Sequence, residues 1–111
     1  MIPILIVGKD LSDLADELTS QGIKDGILAF SVKNSEEALG IFEELGPKLM
    51  LTILGKNEQK SHDKLISEGY KGSFVVYSNE NESEWGKRKV EFIKPQSENL
   101  YNKLIKNLIY N

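Results

Sequence analysis

The chain has no cysteine and one histidine, His62. Disulfides, thiolate nucleophiles, iron–sulfur clusters and cysteine-ligated zinc are excluded, and one imidazole cannot build a histidine metal cluster. No cysteine- or histidine-ligated metal is expected on these grounds, and with the residues weighed below no metal and no cofactor are expected at all. Positive charge is also scarce: 14 Lys and Arg stand against 17 Asp and Glu, for a formal net charge of −3 and a pI near 5.2. Without a basic footprint, a direct nucleic-acid partner is not expected. No apolar run approaches the roughly 18–20 residues of a membrane span. The opening stretch Met1–Val7 is apolar, but it has no basic residue and no small-residue cleavage site, so it does not read as a signal peptide. A cytoplasmic setting is the expectation. What is present is ordinary globular usage, 40% apolar and 28% charged over 111 residues, enough for one domain spanning 1–111 with one core.

Strand and helix patterns alternate along the chain. Ile4-Leu5-Ile6-Val7 is a continuous apolar run stopped by Gly8, as suits a strand covered on both faces. Asp10 or Ser12 is placed to cap a helix with the stripe Leu11, Leu14, Ala15, Leu18, stopped by Gly22. A second strand is expected over 26–32. Asn34 then has Glu37 at the capping-box spacing, opening a helix through Phe42 and Leu45 that Gly46-Pro47 ends. Residues 49–54 read as a third buried strand. A short helix over about 59–68 follows, with Leu65 and Ile66 facing inward and His62 at or near the surface. Residues 73–78 form a fourth strand, 79–89 a polar stretch containing Trp85, and 90–93 a fifth strand. Ser97 is the expected cap of a last helix whose stripe is Leu100, Tyr101, Leu104, Ile105, Leu108, with Tyr110 beyond it. This order implies an α/β fold: a flavodoxin-like three-layer α/β/α sandwich with a five-stranded parallel sheet in the order 2-1-3-4-5. A site in such a fold lies at the carboxyl ends of the strands. Gly8 has no further glycines at G-x-G-x-x-G spacing, which argues against a dinucleotide site. Gly8-Lys9-Asp10-Leu11-Ser12 is also a thin substitute for a flavin phosphate cradle.

Five pieces in order resemble a response-regulator receiver domain over essentially the whole chain: Ile4-Leu5-Ile6-Val7, Asn34-Ser35-Glu36-Glu37-Ala38-Leu39, Pro47-Lys48-Leu49-Met50-Leu51-Thr52-Ile53, Phe74-Val75-Val76-Tyr77-Ser78 and Phe92-Ile93-Lys94-Pro95. The resemblance implies phosphoryl transfer to an aspartate after the third strand. Two acids after the first strand would hold Mg²⁺, and a Ser/Thr and a Lys would hold the phosphoryl oxygens. Here Gly8 and Lys9 occupy the acid-pair positions, and Ile53 occupies the acceptor position, or Thr52 if the register slips by one. Only Ser78 and Lys94 match. A single acid, Asp10, is a poor Mg²⁺ site. Lys9 offers a fixed positive charge where the metal would sit; it reads equally as an exposed loop lysine. Ser78 and Lys94 read either as a residual anion site or as inherited geometry, with the serine capping backbone. The position of the family's aromatic switch is Glu91. The Ser78–Lys94 interval is short, so the fourth helix is expected to be truncated or absent.

The resemblance thus implies a degenerate, non-catalytic receiver-like module acting through a protein partner: a signalling kinase, an effector or a fused output domain. One alternative is a phosphorelay receiver with a non-standard acceptor, Thr52, Ser78 or Asp10. Another is a regulatory domain cut from a larger regulator. Oligomeric state is left open.

Overall fold

The computed structural model describes residues 1–96 and 99–109. Among the described residues nine strands and α-helices follow in order: β1 (Ile2–Val7), α1 (Ser12–Gly22), β2 (Ile27–Val32), α2 (Ser35–Leu45), β3 (Leu51–Leu54), α3 (Gln59–Ser67), β4 (Ser73–Tyr77), β5 (Glu91–Ile93) and α4 (Leu100–Ile109), with an α-helix between each pair of successive strands except β4 and β5. All pairings are parallel, and the sheet order is β2-β1-β3-β4-β5. This is the flavodoxin-like fold.

The strands are apolar throughout because each face is covered. Ile4 and Ile6 of β1 face α1 and α4 with Ile53, Val75, Ala15, Leu18 and Leu104. Leu5 and Val7 face the other way, against α2 and α3, with Leu54, Ala38, Leu65 and Tyr70. Period-two alternation distributes a continuous apolar run between two cores. On the outer side of the edge strand β2, the Ala29 N–H donates to the Thr19 hydroxyl at 3.0 Å.

Asn34 caps α2 as its spacing predicts, accepting from the Glu37 N–H at 2.9 Å, while Glu37 reaches back to the Lys33 N–H at 3.1 Å. The start of α1 departs from expectation. Leu11 is its N-cap, and neither Asp10 nor Ser12 caps it through a side chain. Asp10 has a left-handed backbone, φ 60°, which turns it out of capping geometry. Ile66 also departs: it is 49% exposed, because the inward stripe of α3 is Ser61, His62 and Leu65. Residues 79–89 hold only a short 3-10 turn, Glu82–Trp85. Ser97 and Tyr110 lie outside the described residues, as do the side chains of Ile105 and Leu108.

Tyr70 closes the amino ends of β3 and β4. Its hydroxyl donates to the Ser73 carbonyl at 2.8 Å, and burial pushes the phenol up to about 12, with the Thr52 hydroxyl pulling the other way. Gly72 is pressed against this arrangement. A β-carbon there would meet the Tyr70 hydroxyl and lie 2.6 Å from the Met50 carbonyl oxygen. Gly72→Ala is therefore expected to destabilise the fold by about 1–3 kcal/mol, measured as a lower urea midpoint at unchanged m-value.

Candidate functional site

The carboxyl ends of β1, β3, β4 and β5 open into a cleft of about 680 Å³. One wall is built by two loops of the same design. β1 runs into Gly8-Lys9-Asp10 and β3 into Gly55-Lys56-Asn57. The register pairs Val7 with Leu54, so the two Gly-Lys steps stand abreast, and Gly55 continues the ladder by donating to the Val7 carbonyl at 2.8 Å. In each loop the residue after the lysine is left-handed: Asp10 at φ 60° and Asn57 at φ 63°, the only non-glycine residues with positive φ among those described. Asp and Asn tolerate that region best.

Both glycines are packed against the end of the Leu11 side chain, and Gly8 also has a positive φ of 151°. A β-carbon on Gly8 or on Gly55 would lie 2.9 Å from the Leu11 Cδ1. The Leu11 side chain thus caps the mouth of the sheet between the two loops. Lys9 and Lys56 are exposed on the cleft wall, and neither is in an ion pair among the described residues. The loops lead straight into α1 and α3, whose N-termini carry no side-chain cap, so the positive ends of two helix dipoles add to the two lysines.

The opposite wall is the segment after β4, with Ser78, Glu80 and Glu84. Trp85 pins this segment to the body. It is almost fully buried, and its indole N–H donates to Glu80 Oε1 at 2.8 Å. The same oxygen accepts from the Asn57 N–H at 3.4 Å, joining the two walls. Behind Trp85 stands His62, 7% exposed, its ring tilted against Phe74 at 4.4 Å between centroids. The expectation of a surface or half-buried histidine is corrected: Phe74 and Trp85, from later in the chain, pack over the imidazole. His62 Nδ1 lies 2.8 Å from Asp63 Oδ1, and Arg88 clamps the Asp63 carboxylate through two bonds of 2.9 and 2.7 Å. The Arg88 bonds hold the Asp63 carboxyl at about 2, the His62 bond adding to the effect and burial opposing it. Arg88 is pushed up in turn by the same partner.

The residues singled out in the sequence separate in space. Ile53 is 0% exposed and lies inside β3, paired with Ile6 and Val75. β3 ends at Leu54, as the sequence pattern expects, and the residue that lines the cleft is Gly55, just beyond the strand and two residues past Ile53. Thr52 is equally enclosed, on the opposite face. Ser78 does line the cleft, yet it is 6% exposed, and its hydroxyl accepts from the Glu80 N–H at 3.0 Å. That is the backbone-capping role. At the exit of β5 the residue on the cleft wall is Pro95, while Lys94 is exposed beside it. Gly8 is at the junction of β1 with the cleft and Lys9 is on its wall. Lys56 and Asn57 escaped the sequence reading, although the repeat of apolar strand, Gly, Lys and Asx was there to find.

No protein-family model matches the sequence, and no curated protein matches it. The structure is similar to the crystal structure of the N-terminal domain of an uncharacterized protein from Wolinella succinogenes. The TM-score is 0.69, with 20% identity over 97% of this chain and 91% of that one. At that identity the likeness establishes the shared fold. No helix among the described residues is long and apolar enough to cross a membrane.

A carboxyl whose pKa is lowered on folding stabilises the native state above its unfolded value and stops doing so as the pH falls through the folded one. For Asp63 that window runs from its ordinary 3.8 down to about 2. Urea midpoints compared at about pH 6 and about pH 3 should therefore fall further for the wild type than for Asp63→Asn. The difference should be small, because the Asp63 side chain is 54% exposed and its pair is screened by water.

Proposed function

We propose that this chain is a degenerate receiver-like signalling module of the cytoplasm: non-catalytic, not phosphorylated at the usual site, and acting by binding a protein partner. The partner is a signalling kinase, an effector or an output domain fused to it. The reading rests first on the five sequence pieces that resemble the receiver family. The shared flavodoxin-like architecture supports it as the scaffold.

One observation carries the loss of chemistry. Where phosphoryl transfer needs clustered carboxylates, the cleft presents two Gly-Lys steps sealed by Leu11. Among the described residues no group of three His, Cys, Asp or Glu side chains is placed to hold a metal ion. At the exits of β1 and β3, where the acids would stand, two lysines and two helix N-termini disfavour a divalent cation, and the cleft's carboxylates, Glu80 and Glu84, belong to the segment after β4. The non-standard acceptors fare poorly as well. Thr52 is fully enclosed and the Ser78 hydroxyl is engaged by backbone. Asp10 alone is exposed.

Two experiments test the reading. Incubation with Mg²⁺ and a small phosphodonor, followed by intact mass measurement, is expected to show no added phosphoryl group; a stable gain, at Asp10 above all, would overturn it. Ile53→Asp is expected to cost roughly 4 kcal/mol or more, because it buries an unpaired carboxylate in the α1–α4 core, and to leave Mg²⁺ unbound. Mg²⁺ binding by that variant, read by calorimetry, would show that an acid site survives.

A further inference from the structure

We infer that the cleft is a binding site for a small zwitterion, an amino-carboxylate with its two charges at opposite ends. The inference stands on the lining of the cleft and not on the signalling reading above.

The charges come from different segments, although the Glu80 carboxylate reaches across to the Asn57 N–H of the second lysine loop. Lys9 and Lys56 come from the twin Gly-Lys-Asx loops after β1 and β3, while Glu80 and Glu84 come from the segment after β4. Each wall is fixed. The lysine wall is set by the Val7–Leu54 register and by left-handed turns at Asp10 and Asn57. The glutamate wall is set by the buried Trp85, whose indole holds Glu80, and by Gln59 Nε2 donating to the Glu84 carbonyl at 3.1 Å. Neither lysine is consumed by an ion pair within the protein, among the described residues.

A carboxylate at the lysine wall gains two charge-assisted donors and the positive ends of α1 and α3. An ammonium at the other wall gains the Glu84 carboxylate and the second oxygen of Glu80. A simple anion would meet the glutamates unfavourably, and a simple cation would meet the lysines. The volume, about 680 Å³, suits a small molecule, and Leu11, Tyr77 and Pro95 supply apolar surface for its carbon chain. Ser78 accepts the Glu80 N–H on its oxygen and keeps its own O–H as a donor at the cleft.

The molecule carries its own reporter. Trp85 is the single tryptophan, and it is bonded to a residue of the cleft wall. Titration of the intact chain with ω-amino acids of increasing chain length, from 3-aminopropanoate to 6-aminohexanoate, is expected to give a saturable change in tryptophan fluorescence with at least one of them. Pentanoate, pentylamine and inorganic phosphate are the matched single-charge and simple-anion controls and should bind at least about tenfold more weakly. Lys56→Gln and Glu84→Gln, both at exposed side chains, should each weaken binding of the best probe by about tenfold while leaving the far-ultraviolet circular dichroism unchanged. The idea fails if no ω-amino acid gives a saturable signal by fluorescence or by calorimetry. It also fails if phosphate or pentanoate binds as tightly as the best zwitterion, or if neither variant alters the affinity.

Discussion

The central strand carries the rest of the molecule. Ile4, Leu5, Ile6 and Val7 are wholly enclosed, hydrogen-bonded to β2 on one side and to β3 on the other and covered by helices on both faces. An apolar run in this position can exist only if both layers of helix are present, since neither face tolerates water. Its register also decides what lies beyond its end. Because Val7 pairs with Leu54, the chain leaves β1 and β3 at the same level, and both exits must turn away into helices from one point. The glycines at 8 and 55 stand at that shared exit, packed against the end of the Leu11 side chain.

The second organising element is the ring cluster beneath the segment after β4. Trp85, His62, Phe74, Tyr70 and Phe92 form a chain of edge-on and tilted contacts along the α2–α3 side. Polar atoms at its rim are satisfied outward: the indole by Glu80, the imidazole by Asp63, and Asp63 by Arg88. A segment with little regular structure is thereby given a fixed position, and one wall of the cleft with it.

Much of the fold was legible because it is written in local patterns. Strand runs, the Asn34 cap and the Gly46-Pro47 stop are short-range signals, and the sheet order follows from their alternation. What failed was fine placement. The end of β3 at Leu54 was legible, but a buried strand has no polar face to show which residue reaches the mouth, so Ile53 was set there by analogy with a family pattern and lies instead in the core. The burial of His62 was invisible for a different reason: its neighbours Phe74 and Trp85 arrive from later in the chain, and the polar residues around it imitate an exposed helix. In the site, Gly8 and Lys9 were legible as departures from a family pattern. Their partners Lys56 and Asn57 become meaningful only once the register lays the two loops side by side.

The bond between Thr19 and the outer side of β2 has a further meaning. A sheet margin normally offers its free amides to any extended chain that drifts alongside. Here one of those amides is already taken by a hydroxyl from the protein's own first helix, while the opposite margin, Glu91–Ile93, is only three residues long. Both borders of the sheet are thereby discouraged from lengthening. Association with another polypeptide is steered toward the helical flanks and the loop-built rim, and growth by strand upon strand is disfavoured.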